Sequence, residues 1–87
     1  MATPTFHMQL VTPDARLFDG HVTAVTLPGE LGEMQVLAGH IPLLTRLTPG
    51  LLRIHHADGR VQDFTLAEGF ARIAFEEVCV LAVVVQT

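Results

Sequence analysis

The chain has 87 residues, a formal net charge of −4 and 49% hydrophobic against 16% charged residues, which is the size of one domain and too apolar a composition for a disordered segment. Lys, Ser, Asn, Tyr and Trp are absent and Cys occurs once, at Cys79. That excludes a Ser nucleophile, a Schiff-base or phosphate-loop Lys, an internal disulfide and a multi-Cys zinc site.

The five basic residues, Arg16, Arg46, Arg53, Arg60 and Arg72, stand singly along the chain, so there is no footprint for nucleic acid or anionic lipid. The longest apolar run, 78–85, is far short of the ~20 residues that cross a bilayer, and the N-terminus lacks the pattern of an export signal. The expectation is a soluble, cytoplasmic chain, one domain over residues 1–87, with no nucleic-acid partner and no direct membrane insertion.

Pro and Gly recur from Pro13 to Gly69 and leave little room for a helix of ordinary length. The first segment alternates with period two, placing Phe6, Met8 and Leu10 on one face and His7, Gln9 and Val11 on the other. Val22, Val25 and Leu27 break that period, which a bulge near Val22–Ala24 would repair. Leu52, Ile54 and His56 share one side of a further strand, with His56 at the rim unless the pattern stops before it. Asp58-Gly59 separates the run 50–57 from 60–66, predicting a two-residue hairpin turn with positive φ at both positions. Glu76-Glu77 separates 70–75 from the almost uniformly apolar run 78–85, whose uniformity predicts burial on both faces. Many short strands with frequent turns predict an all-β sandwich or barrel.

Chemistry-bearing residues are sparse. Of the five histidines, His55 and His56 are adjacent on a strand and leave opposite faces, while His7, His21 and His40 are dispersed. Metal ligands therefore do not converge, and surface or rim positions are the simpler reading. The carboxylate pairs Glu30/Glu33 and Glu76/Glu77 fall in predicted turns, where water keeps them ionised and unsuited to general acid–base work. The segment Gly29-Glu30-Leu31-Gly32 lacks the Lys of a phosphate loop, and its carboxylates repel phosphate. Cys79 reads as a small buried hydrophobe. Between Leu27 and Pro49, however, Leu31, Met34, Leu37 and Ile41 stand among glycines and prolines. Apolar residues in such loops either contact a partner or cap the ends of the core.

The strings Phe18-Asp19-Gly20-His21-Val22, Val25-Thr26-Leu27-Pro28-Gly29, Gly32-Glu33-Met34, Gly39-His40-Ile41-Pro42-Leu43-Leu44-Thr45 and Leu47-Thr48-Pro49-Gly50 follow one another in order. With the Glu68-Gly69-Phe70 corner and the closing Val78-Cys79-Val80-Leu81-Ala82, they make the chain resemble the epsilon subunit of F-type ATP synthases over essentially its whole length. The resemblance implies a flattened β-sandwich of two five-stranded sheets, a non-catalytic rotor subunit of the central stalk that links the gamma subunit to the c-subunit ring and couples ion translocation to ATP synthesis and hydrolysis. It implies no cofactor, no metal and no small-molecule substrate, and a peripheral place on the cytoplasmic face of the bacterial inner membrane. By the same resemblance Glu30, Leu31, Gly32, Glu33 and Met34 face the c ring, and Thr12, His40, Ile41 and Pro42 face gamma.

Two departures from the family pattern are local: Gln35 and Glu68 stand where glycine is common, so both turns are expected to differ slightly in shape. Members usually also carry a C-terminal helical hairpin that inhibits hydrolysis and in some cases binds ATP. The chain stops at Thr87, so a subunit lacking that inhibitory and ATP-sensing part is expected. The alternative from another class is a small-ligand or metal-binding β-barrel of cupin type built on the histidines. The coupling ion, H⁺ or Na⁺, is chosen in the c ring and has no signal in this chain.

Overall fold

Strand β1 (Phe6–Val11) buries Phe6, Met8 and Leu10 and leaves His7, Gln9 and Val11 half-buried, the alternation that a period of two requires. A computed structural model describes residues 3–86, and eight strands account for most of them. The chain turns at Pro13-Asp14, where the Thr12 N–H donates to the Ala15 carbonyl at 2.8 Å, and returns antiparallel as β2 (Arg16–Val22). The register slips between Leu10 and Val11, so Leu17 is the extra residue of a bulge.

The irregularity expected at Val22–Ala24 is a change of partner rather than a bulge. Val22 still pairs with Phe6, whereas Ala24, the first residue of β3 (Ala24–Gly29), pairs with Leu37 and His55. Thr23 makes the crossing, and both its N–H and its hydroxyl donate to the His55 carbonyl at 3.0 Å. One residue thus carries the chain from one layer to the other with its backbone donor satisfied.

β3 forms a hairpin with β4 (Gly32–Leu37), closed by Glu30-Leu31 and a Gly32 at φ 132°. β5 (Leu43–Leu47) and β6 (Gly50–His55) follow. β7 (Val61–Ala74) is 14 residues long and works twice along the same edge: its first half pairs with β6 and its second with β5. β8 (Glu77–Gln86) lies antiparallel to β7 and parallel to β1. The ladders therefore join all eight strands into one hydrogen-bonded sheet, in the order β2-β1-β8-β7-β5-β3-β4 with β6 bridging β3 and β7. In place of the expected count of two five-stranded sheets, the two layers of the sandwich are continuous with one another in this single sheet. Its physical cause is β7, whose register slips either side of Leu66 let it bend and serve both layers. The Glu68-Gly69 corner lies inside this strand and is not a turn.

A single cluster fills the space between the layers, with Met8, Leu10, Val22, Val25, Leu52, Ile54, Val78 and Val80 fully buried. Every strand contributes to it, and among the described residues no polar or charged side chain is buried. Burial of this kind, at about 25 cal/mol per Å² of apolar surface, is the main favourable term available to so small a domain.

Two turns differ from expectation. Asp58-Gly59 belongs to a wider loop: β6 ends at His55 opposite Val61, the Gly59 N–H donates to the His56 carbonyl, and only Gly59 has positive φ, at 92°. With the His56 N–H donating to the Arg60 carbonyl at 2.9 Å, the loop proper is the three residues 57–59, and its single left-handed position falls on glycine. His56 is already off the strand, so the inward alternation of Leu52 and Ile54 stops before it. The β7–β8 turn is Phe75-Glu76, with Glu76 at φ 64° and Glu77 already paired to Ala74. β8 is also not buried on both faces. Val78, Val80 and Ala82 point into the core, whereas Leu81, Val83 and Val85 are 50–65% exposed, because the second layer covers only the inner side.

Candidate functional site

The β3–β4 hairpin carries the first proposed contact. Gly29 pairs with Gly32, which confines the turn to Glu30 and Leu31 and pushes Leu31 out of the fold, fully exposed. The Glu30 N–H donates to the Arg46 carbonyl at 3.0 Å, tying the tip to β5. Glu30, Gly32 and Glu33 are exposed, but Met34 turns back and packs on the core. The projecting apolar group is therefore Leu31 alone, flanked by two carboxylates. Glu33 also lines a shallow pocket of about 150 Å³ with Thr26, Leu51, Arg53 and His55. There its charge adds to that of Asp63, whose hydrogen bond is the main reason the Arg53 guanidinium holds its proton more firmly than usual.

The second group divides. His40, Ile41 and Pro42 occupy the segment between β4 and β5. The His40 ring is half-buried, edge-on to Phe6 with centroids 5.2 Å apart, while Ile41 is 81% exposed. Thr12 lies beyond the other end of β1, six residues from Phe6 and so about 20 Å along the strand. Its hydroxyl is engaged in its own turn, donating to the Ala15 carbonyl and accepting from the Ala15 N–H. Thr12 and His40 do not share one patch.

A third surface was missed by sequence reasoning. On the outer face of β5, β7 and β8, Arg46 stands opposite Phe70 and Phe70 opposite Leu81, with Val83 and Leu44 in the adjoining rows. Leu44 is 71% exposed and Phe70, Leu81 and Val83 about half exposed. The Arg46 guanidinium lies 5.6 Å from the Phe70 ring centroid, a cation–π contact. Pro13, Arg46, Phe70, Leu81 and Val83 border a groove of about 360 Å³. The alternation of Phe70 and Arg72 against Ala71 and Ile73 was the available signal, hidden because β8 itself does not alternate.

The remaining titratable groups form local pairs. His7 and His21, read as dispersed, are neighbours across β1 and β2 with ring centroids 5.4 Å apart. His7 Nε2 lies 2.5 Å from an Asp19 carboxylate oxygen, and Arg16 reaches the other oxygen at 3.2 Å. The His7 hydrogen bond is the largest influence holding Asp19 below the usual carboxylate range. Asp58 is held low by hydrogen bonds from the backbone and side chain of Arg60. His56 bonds Gln62 at 3.2 Å, and Glu77 sits 3.9 Å from Arg72. Cys79 is half-buried rather than buried. Among the described residues no three His, Cys, Asp or Glu side chains come together as a metal site.

Geometry of this kind, apolar side chains standing out from a rigid β frame, is suited to binding a macromolecule. Comparison with known proteins gives the family of the domain. Residues 5–86 match the ATP synthase delta/epsilon chain β-sandwich domain. The chain is 37% identical to the ATP synthase epsilon chain of Dichelobacter nodosus over 94% of its own length, and 39% identical to that of Brucella canis over 88%. It spans 57% of the length of each of these relatives. Among solved structures, a chain of the Euglena gracilis mitochondrial ATP synthase assembly containing OSCP, F1 and c-ring superposes with a TM-score of 0.89 at 27% identity, over 99% of this chain and 56% of the other. A chain of the Tetrahymena thermophila central stalk and c-ring assembly shares the fold, with a TM-score of 0.75 at 20% identity over 95% of this chain and 66% of the other. With a β-sandwich of eight strands and a family match across nearly all of it, the chain belongs to the delta/epsilon β-sandwich domain family of ATP synthase.

Proposed function

We propose that the chain is a non-catalytic rotor element of an F-type ATP synthase, seated in the central stalk between the gamma subunit and the c-subunit ring, where it helps couple ion translocation to ATP synthesis and hydrolysis. The observation that carries the reading is the likeness over 99% of the chain to a chain from an assembly that includes F1 and the c-ring. The Leu31 tip with Glu30, Gly32 and Glu33 is the ring-facing contact in this reading, and the exposed Ile41-Pro42 segment positioned by His40 is the gamma-facing contact. Thr12, at the far end of β1, would meet gamma only if gamma spans the length of the strand. The complex is peripheral on the cytoplasmic side of a bacterial inner membrane in the same reading.

A carboxylate that meets a basic group of the ring would form a charge-assisted hydrogen bond worth about 1–3 kcal/mol when partly desolvated. The test is reconstitution of the full complex in membrane vesicles with Glu33→Arg in this chain. The expected result is weaker attachment of the catalytic head to the ring and ATP hydrolysis uncoupled from ion pumping. Unchanged coupling would overturn the assignment of the hairpin tip.

A further inference from the structure

The His40 imidazole is hydrogen-bonded at both ring nitrogens, and both acceptors are backbone carbonyls. Nδ1 lies 2.6 Å from the Leu37 oxygen, and Nε2 reaches the Ala74 oxygen. A carbonyl oxygen offers only lone pairs, and a neutral imidazole donates from one nitrogen alone. The two bonds coexist only when both nitrogens carry hydrogen, as in the imidazolium. We propose that protonated His40 is a latch that holds the Ile41-Pro42 segment between the end of β4 and the end of β7, and that loss of its proton frees one of the two anchors.

The position of the ring gives the latch something to hold. Leu37 closes β4 and Ala74 closes β7, so the imidazolium spans two strands that are not neighbours in the sheet. The backbone of the segment makes a turn at Ala38-Gly39, and the His40 side chain adds the polar tie across to β7. Phe6 packs edge-on to the ring at 90°, fixing its plane. The segment itself brings no other titratable group. On the packed elements the nearest in sequence are His7 of β1, which is engaged with Asp19, Arg72 of β7, and Glu76 and Glu77 at the β7–β8 turn. Among the described residues none of these carboxylates forms an ion pair with His40. The two ring nitrogens therefore face two carbonyl dipoles and no paired carboxylate.

The latch is tested on the free 87-residue chain, without any partner. Uniform ¹⁵N labelling with His40 assigned should give two protonated ring nitrogens at about pH 5.5. Amide exchange at Gly39, His40 and Ile41, corrected for intrinsic rates, should accelerate about tenfold between pH 5.5 and 8, the loss expected for one charge-assisted bond, while β6 and β7 stay unchanged. In His40→Gln that acceleration should vanish. A single neutral tautomer at the acid end, or exchange in the segment that ignores pH, overturns the proposal, and the wild-type ring resonances decide it even if His40→Gln does not fold. A last arm rests on the docking reading above: gamma binding should weaken over the same pH range. Should the latch be present in the free chain while gamma binding is independent of pH, the docking assignment fails and the latch stands.

Discussion

Arg53 on β6 and Asp63 on β7 face each other in the ladder, and the guanidinium holds both carboxylate oxygens, Nε to Oδ1 at 2.9 Å and Nη2 to Oδ2 at 3.1 Å. This hydrogen bonding holds Asp63 below the usual carboxylate range, as the His7 bond does for Asp19 and the Arg60 bonds do for Asp58. A carboxylate with a lowered folded pKa contributes stability above its unfolded value, near 3.9, and loses it as pH falls through the folded value. Through these three groups stability should be level from neutrality to about pH 5 and decline below about pH 4. Urea midpoints measured across that range check this, and Asp63→Asn should give a shallower acid limb. Rising stability on acidification below pH 4 would contradict the pairing.

Leu31 is fully exposed at the β3–β4 tip, so Leu31→Asp should change stability by no more than about 0.5 kcal/mol. In the assembled complex the same substitution should weaken ring attachment. Thermal melting of the free chain beside a vesicle-binding assay separates the two effects. A large fall in Tm would mean that the tip is structural.

Gly69 sits inside β7 where a Cβ would lie 2.4 Å from the Leu81 carbonyl oxygen and 2.7 Å from Ala82 Cα. Those are backbone atoms of the neighbouring strand and cannot rotate away. Gly69→Ala should therefore destabilise the domain by about 1–3 kcal/mol or more, as overpacking does. Chemical denaturation gives the value, and a change near zero would show that β8 can shift to admit the methyl group.

Leu10 and Leu81 lie on neighbouring strands and face opposite ways, Leu10 buried and Leu81 half exposed. Leu10→Ala should cost about 2–5 kcal/mol, a large part of what a domain this size possesses. Leu81→Ala should cost clearly less, because its site already borders water. Equal losses would mean that something covers the outer face of β8 in solution.

The alternating strands could be read from the sequence because their two faces meet different solvents: Phe6, Met8 and Leu10 announce β1 as plainly as Leu52 and Ile54 announce β6. The uniform run 78–85 misled, since valine and leucine satisfy a strand on either face and only the neighbours decide which side is covered. The layer crossing at Thr23 was visible as a broken period, but a period cannot distinguish a bulge from a change of partner. For the candidate contacts, Leu31 and Ile41 were legible as apolar residues among turn formers. The separation of Thr12 from His40 was not, because it depends on the direction in which β1 crosses the sheet. The meeting of His7 and His21 likewise follows from the β1–β2 register, which the bulge at Leu17 helps set.

The parallel pairing of β1 with β8, His7 beside Glu77 through Val11 beside Leu81, imposes an order on synthesis. β1 finds one side of its ladder in β2 within a few residues, but the other side is translated about 70 positions later. Until then Met8 and Leu10 have no Val78 and Val80 to pack beside, and the nascent chain presents an open apolar edge. Closure joins segments about 70 positions apart, so folding should be slow for a chain of this length and should complete only after β8 has cleared the exit tunnel.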